Sequence, residues 1–543
     1  MATSAVNTGA SGPVQDELGD KDHRMVIFAS SLGTVFEWYD FYLYGTLATF
    51  FSVLFFPQGN ETAALLAVMA TFGAGFLVRP FGAIVFGHLG DVIGRKHTFL
   101  ITILLMGIST AAVGLLPTYE QIGIWAAILM LVLRLLQGLA LGGEYGGAAT
   151  YVAEHAPAGK RGFYTSWIQT TATLGFFLSL AVIGGIRGVM DAESFKAWGW
   201  RIPFLVSVVL LAISVYIRMK LSESPVFKQM KAEGKVSKNP LKESFAHWYN
   251  LKYVLLALLG ATAGQGVVWY MGQFYALYFL EKSLSVDYTT AYTLIAIALA
   301  IGTPFFVFFG TLSDRIGRKK IMMAGFLLAA LTAIPLFKGL ANFANPALFD
   351  AMERAPVTVQ VTPDCQFNMW GKQASDCAKA LDFLSKKGIQ YTKQEGTASQ
   401  VTVNIGPDIM LSGFNEDEYK AALDQAGYPA KADPAQMNKP MIVVILTVLM
   451  LYVTMVYGPI AAFLVELFPA RIRYTSMSVP YHFGNGWFGG LLPFISLAIV
   501  AVTGNMYAGL WYPIGIAVMS LIVGGLFLAE TKDREIHHDA KYQ

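Results

Sequence analysis

Twelve long apolar runs constrain this chain more than any other feature. They fall at about 25–56, 63–86, 98–117, 121–150, 163–187, 199–220, 251–280, 288–309, 321–338, 440–465, 476–502 and 507–529. Crossing the ~30 Å hydrocarbon core of a bilayer takes roughly 20 apolar residues in a helix. Lipid offers no partner to backbone N–H and C=O groups, so only helices and closed barrels span it. These runs are far longer than barrel strands of ~10 residues. Composition agrees, with 55% hydrophobic and 14% charged residues against about 25% charged in soluble domains. A net charge of +3 without a basic aromatic patch argues against nucleic acid.

Lys and Arg in alternate loops set the expected orientation. Arg95 and Lys96, Lys160 and Arg161, the Lys-rich 220–242 segment, Arg315 to Lys320, and Arg471 with Arg473 lie on one side, while loops 57–62, 117–120 and 503–506 carry neither residue. Both termini are therefore expected in the cytoplasm. The loop 188–201 runs against the rule with Lys196 and Arg201, offset by Asp191 and Glu193. The expected organisation is a disordered cytoplasmic tail at 1–24 and a six-helix half at 25–220. A cytoplasmic central loop at 221–250, a second half at 251–338 and 439–529, and a cytoplasmic tail at 530–543 complete it. No basic start and apolar h-region mark a cleaved signal peptide in the first 24 residues.

Residues 339–438 interrupt the second half and fall outside by parity. Over 339–437 there are 12 acidic and 8 basic residues. PVTVQV (356–361) and SQVTVNI (399–405) read as strands, and Ser375–Gly388 and Asn415–Gly427 as capped helices, which predicts a small folded α/β insert. Cys365 and Cys377, the two cysteines of the chain, lie in it and suit either a disulfide or two small buried thiols.

Two matched motifs follow the second run of each half: GHLGDVIGRKH (87–97) and GTLSDRIGRKK (310–320). Related motifs at equivalent places mark an internal repeat. They resemble the G-x-x-x-D-R-x-G-R-R/K signature of the major facilitator superfamily through Gly87, Asp91, Gly94, Arg95 and Lys96, and through Gly310, Asp314, Arg315, Gly317, Arg318 and Lys319. Val92 replaces the usual Arg of the first copy, so one gating contact is expected to be weaker there. Arg134, Gln137 and Gly138 resemble the superfamily's R-x-x-Q-G motif. With EWYDFYLYG (37–45), RPFGAIVFG (79–87), LSESPVF (221–227) and ELFPARIRYTS (466–476), the chain closely resembles the metabolite:proton symporter family. The resemblance implies an all-α membrane protein of twelve transmembrane helices in two six-helix halves, with the insert between helices nine and ten. It also implies a bacterial inner-membrane location, a monomeric transport unit, and a central cavity lined by helices one, four, seven and ten.

Ionisable groups inside apolar runs are costly and usually functional. At ~1.5 Å rise per residue, Arg79 lies ~10 Å, Glu144 ~14 Å, Glu37 ~18 Å, Asp40 ~22 Å and Arg134 ~28 Å from the cytoplasmic ends of their helices. Acid–base pairing across the first half is thus feasible, and Glu37 and Asp40 share a helical face. Asp40, Glu37 and Glu144 are the proton-coupling candidates, with Arg134 tuning the acid; a fixed ion pair locking two helices is the structural alternative. Substrate-binding candidates are Arg134, Arg79, Tyr44, Gln137, Gln265, Trp269, Tyr270, Gln273, Asn485 and His482, with Tyr275 as a further neutral lining residue. Arg suits a carboxylate ligand, though Arg79 could equally snorkel to the surface, and some of the aromatics must face lipid.

No nucleophile–base set, metal motif or phosphate loop stands out, which argues against an enzyme and implies neither cofactor nor metal. The expected function is symport of a proton with a small mono-, di- or tricarboxylate. A proline or betaine zwitterion is the alternative, disfavoured because no heptad-bearing tail follows the last run. A membrane sensor using the insert to bind ligand, or an extracytoplasmic partner for the insert, stays open.

Overall fold

A computed structural model describes residues 20–56, 61–366, 373–396 and 399–536. The expected tail at 1–24 lies largely outside these residues, as does the end of the 530–543 tail. Two long helices open the fold, α1 (Asp20–Phe55) and α2 (Glu61–Val92). Among the described residues, ten other helical stretches meet the length and apolarity needed to cross a membrane. They are α3 (Arg95–Leu115), α4 (Ile124–His155), α5 (Arg161–Val189), α6 (Gly199–Met219), α7 (Trp248–Ser283), α8 (Tyr288–Ile316), α9 (Arg318–Ala344), α13 (Lys439–Leu467), α14 (Ala470–Thr503) and α15 (Ala508–Phe527). The 221–250 segment is not a plain loop. It holds short helices at Pro225–Ala232 and Pro240–Phe245, and the first buries Val226, Phe227 and Met230 against Ala470.

Close helix contact rests on missing side chains. A Cβ on Gly138 would stand 2.4 Å from the Gly75 carbonyl, and one on Gly142 2.2 Å from that of Arg79. Backbones of α2 and α4 therefore touch, which fixes the register of Arg79 against Arg134. Two helices depart from regular winding where the halves meet. π-Helical turns occupy Leu258–Thr262, Met271–Tyr275 and Phe279–Ser283 of α7, and Phe483–Gly489 of α14. Such turns re-aim side chains and recur at functional sites.

Between α9 and α13 lies the small α/β unit. It comprises α10 (Pro346–Arg354), β1 (Val357–Val361), α11 (Asp376–Lys386), β2 (Tyr391–Glu395), β3 (Thr402–Ile405), β4 (Ile409–Ser412) and α12 (Glu416–Gln425). The sheet order is β2-β1-β3-β4, with β1 parallel to β2 and the other pairs antiparallel. Cys365 and Cys377 are joined by a disulfide. The unit is tied to the bundle by Asn345 Nδ2 donating to the Leu284 carbonyl (2.9 Å), the Ala432 N–H to Ser285 (3.1 Å) and the Tyr391 N–H to Gly504 (2.9 Å). Helix α9 runs through Ala344 rather than ending at 338, because its apolar face stays buried at Leu340, Ala341 and Ala344. Strands β2 and β4 were not legible in the sequence: YTKQE is mostly polar and IMLS is four residues long.

Candidate functional site

Three buried polar assemblies can be built up from the sequence. The first lies at the end of the bundle carrying the two repeated motifs. Asp91 accepts from the backbone N–H groups of Tyr474 (3.2 Å) and Thr475 (2.9 Å), at the start of α14 in the other half. Asp314 accepts from those of Gly162 and Phe163, both at 2.8 Å, at the start of α5. Each aspartate thus caps a helix N-terminus across the interface, where free N–H groups and the helix dipole favour a carboxylate. Each is paired with the arginine four residues on, Arg95 to Asp91 at 3.1 Å and Arg318 to Asp314 at 2.6 Å. Gly87 and Gly310 allow the approach, since a Cβ would come within 2.8 Å of Thr475 Cα and 2.4 Å of Ser166 Cβ respectively.

Further charges complete both copies. Glu154 holds Arg473 (2.8 Å) and Arg95 (3.6 Å); Glu466 holds Arg318 (2.9 Å) and Arg161 (3.5 Å). Ser224 donates to Glu154, and Thr531 to Glu466. Glu223 accepts from the Arg95 and Lys96 N–H groups, and Glu530 from those of Arg318 and Lys319. Gly94 (φ 117°) and Gly317 (φ 112°) make the turns that present these N–H groups, a backbone region closed to most L residues. Lys96 and Lys319 reach the Met219 and Gly525 carbonyls. Val92 takes the place of an arginine in the first copy. Its counterpart Arg315 is exposed and makes no ion pair among the described residues, so this conformation shows no contact that Val92 would forfeit.

The second assembly sits deeper between α1 and α4. Arg134 lies 3.2 Å from Asp40 Oδ2 and donates to Gln137 Oε1 at 2.8 Å. Gln137 Nε2 donates to Asp40 Oδ1 (3.1 Å) and Thr110 (3.0 Å), and the guanidinium stacks 4.2 Å over Tyr44. All five side chains are buried. The Glu37 side chain lies outside the described residues. Glu144 does not join this group. It binds Arg218 at 2.5 Å and accepts from Thr102 at 2.9 Å, with Gly33 leaving room for the pair. This closed ion pair between α4 and α6 is the packing reading of Glu144, set apart from Asp40.

The third assembly lies where α2, α7 and α14 meet. Gln265 and Asn485 exchange two amide hydrogen bonds, 3.0 and 2.8 Å, from α7 to α14. Trp269 follows Gln265 by one helical turn and packs on Trp38 of α1 (5.0 Å) and on Tyr270 (4.8 Å). Tyr270 meets Phe76 of α2 (5.9 Å), over which Arg79 lies at 4.6 Å. Gly486 of α14 approaches Phe76 and Arg79, and His482 stands one turn earlier on the same helix. Arg79 is buried, so it does not snorkel. Two candidates fall elsewhere. Gln273 Nε2 faces the Met450 thioether of α13 (3.6 Å), and Tyr275 packs on Phe337 (5.7 Å).

Seven arginines are buried among the described residues: Arg79, Arg95, Arg134, Arg161, Arg218, Arg318 and Arg473. Six hold a carboxylate. Arg79 makes no ion pair or hydrogen bond among those residues. Buried charge is ordinarily paired, so this guanidinium is suited to an anion from outside the chain.

Glu154, Glu466, Arg218, Glu223 and Glu530 were missed from sequence as site residues. A signal existed: Glu154-x-x-Pro157-x-x-x-Arg161 repeats as Glu466-x-x-Pro469-x-x-x-Arg473, and Glu223-Ser224 as Glu530-Thr531.

A model of the sugar (and other) transporter family matches residues 25–244. A putative metabolite transport protein of Haemophilus influenzae is 32% identical over 513 residues, covering 94% of this chain and 95% of that one. The inner membrane metabolite transport protein YhjE of Escherichia coli is 38% identical, covering 60% of this chain and 74% of its own length. The glycine betaine/proline/ectoine/pipecolic acid transporter OusA of Dickeya dadantii is also 38% identical, and the match spans 64% of that protein. Among solved structures, the proton:xylose symporter XylE bound to 6-bromo-6-deoxy-D-glucose shares the fold, with a TM-score of 0.63, 17% identity and coverage of 97% and 100%. The repeated motifs, their ion-pair networks and these likenesses together place the chain in the sugar (and other) transporter family of the major facilitator superfamily, a family of membrane transporters and not of enzymes.

Proposed function

We propose that this protein is a proton-coupled symporter that carries a small organic acid across a bacterial inner membrane by alternating access. Twelve helices cross the membrane as one monomeric transport unit. The termini and the repeated motifs face the cytoplasm, and the insert between the ninth and tenth spans faces outward. The single observation that carries the reading is Arg79, the one buried arginine without a carboxylate among the described residues. An anion completes that charge, and Asp40, held by Arg134 and Gln137, is the proton-binding group.

The division of labour follows from chemistry. Arg134 already has its counter-ion, so it tunes Asp40 rather than binding substrate. Protonation of Asp40 removes one partner of the pair and frees Arg134 and Gln137 to rearrange, which links the proton to movement between α1 and α4. The symmetric networks at the motif end hold the two halves together and must open for release on the cytoplasmic side.

Uptake into proteoliposomes under an imposed inward proton gradient tests this reading. Asp40→Asn is expected to abolish gradient-driven accumulation while exchange of substrate persists. Arg79→Gln is expected to remove binding, with partial recovery in Arg79→Lys. Uptake indifferent to the gradient in the unaltered protein would sink symport.

A further inference from the structure

We propose that the α/β insert is a clamp on the C-terminal ends of α7 and α14, gripped by Tyr391 and Lys393 of β2, and that its hold governs how α7 moves during transport. The gripped end of α14 lies opposite the end that Asp91 caps. A helix leaves the carbonyls of its last turn without intrahelical partners, and here the insert supplies them. Tyr391 donates from its hydroxyl to the Ala501 carbonyl (3.1 Å) and from its backbone N–H to that of Gly504 (2.9 Å). The Lys393 ammonium donates to the Val502 carbonyl, where a cation also meets the negative end of the helix dipole. The fit is close: Gly504 is left-handed (φ 74°), and a Cβ on it would stand 2.4 Å from the Tyr391 ring. The same unit holds α7. Asn345 Nδ2 donates to the Leu284 carbonyl and the Ala432 N–H to that of Ser285, just past the helix end. Helix α11 packs against both Phe279–Ser283 of α7 and the Leu492–Thr503 stretch of α14. Gly388 (φ 69°), between α11 and β2, comes so near that a Cβ would lie 2.2 Å from the Ser283 carbonyl.

Two features of α7 make a clamp at this end matter for movement. The π-helical turns at Met271–Tyr275 and Phe279–Ser283 lie between Gln265 and the gripped end. Helices bend at such turns, because the hydrogen-bond ladder is already out of register there. The second feature is Ser285, whose carbonyl the insert holds. Its φ of 53° is the one positive φ of a residue other than glycine among the described residues. L side chains disfavour that region, and such strain persists only where the surroundings hold it. Helix α7 thus has places to bend and a strained end that the insert keeps from relaxing. Farther in, Gln265 bonds Asn485, so α7 and α14 are pinned twice, once by that amide pair and once by the insert. Releasing the second pin frees the stretch from Met271 to Ser283 to swing away from α14. The hydrogen bonds of the clamp all go to the second half, so it leaves the first half free to move against it.

Pulsed electron spin resonance on the full-length protein tests the clamp, with spin labels carried by Lys282→Cys and Thr503→Cys. Both positions are exposed, and the two native cysteines are tied up in the disulfide, so labels attach only where introduced. One narrow distance distribution is expected. Tyr391→Phe combined with Lys393→Met removes both side-chain bonds to α14 and should broaden that distribution about twofold or add a second distance. Replacing the methionine change by Lys393→Arg, which restores a donor, should narrow it again. Lys420→Met, on the exposed side of α12, should leave it as it was. An unchanged distribution in the folded double variant, or equal broadening by Lys420→Met, overturns the clamp. Transport supplies a second arm, and only this arm rests on the function proposed above. It uses whichever of shikimate, α-ketoglutarate and glycine betaine the unaltered protein takes up. The double variant should lose about threefold or more in maximal rate with KM changed by less than about twofold, because the buried residues of the middle are untouched while a gating movement is disturbed. A broadened distance with an undiminished rate overturns the link to movement in transport. Uptake of none of the three counts against the proposed function, and the distances still decide the clamp.

Discussion

The end of the bundle that carries the repeated motifs and the middle of the same bundle obey opposite rules. At the motif end the two halves make the same contacts twice. Asp91, Arg95, Glu154, Arg473 and Glu223 find their counterparts in Asp314, Arg318, Glu466, Arg161 and Glu530, with matching partners at nearly every bond. In the middle the polar side chains described differ between the halves. The first half holds Asp40, Arg134 and Arg79, while the second offers Gln265, Trp269, His482 and Asn485. Closing two halves on each other is a symmetric task, because each half caps a helix of the other. On the proposed function, binding one asymmetric solute and one proton is not symmetric, which accords with two halves that are alike at the motif end and unlike in the middle.

That contrast can be broken by experiment. The largest effect should come from Glu154→Gln and Glu466→Gln. Each removes the charge shared by two buried arginines, and breaking a buried pair typically costs about 3–5 kcal/mol. Thermal unfolding in detergent should show similar losses for the two variants; a large loss in one and none in the other would mean that the symmetry is geometric but not energetic. Asp91→Asn and Asp314→Asn should each lose about 1.5–3 kcal/mol, the worth of hydrogen bonds to a charged group. Both should also raise the labelling rate of cysteines placed at the α5 and α14 N-termini, because the caps hold the halves together. Unchanged labelling would argue that the aspartates serve their own half alone. The smallest effect is expected from Val92→Arg, which restores the repeat. Because Arg315 is exposed and unpaired among the described residues, stability should move by no more than about 0.5 kcal/mol. A larger gain would show that an arginine at this place acts in a conformation other than the one described.

Much of the architecture was legible in the sequence, for a physical reason. A bilayer accepts one kind of long apolar segment, so helical spans follow from hydropathy alone. The glycines and charges of 87–97 and 310–320 stand at a spacing that a helix end dictates. That Arg134 could pair with an acid of the first helix was also legible, but the choice between Glu37 and Asp40 was not; the structure puts Asp40 3.2 Å from Arg134. Glu144 was not, since its partner Arg218 lies 74 residues away on a helix whose last turn reads as an ordinary basic flank. The Glu154 and Glu466 repeats were visible in spacing but pass for loop residues until the fold buries them.

The sequence by itself therefore determined the class of fold and the repeat. Tertiary structure alone decided which charges are spent on one another. Six buried arginines hold acids, most of them from distant helices, and Arg79 makes no ion pair among the described residues. The reason is that hydropathy and periodicity are properties of single segments. Charge neutralisation and hydrogen-bond satisfaction are properties of pairs, settled only when helices far apart in the chain are packed side by side.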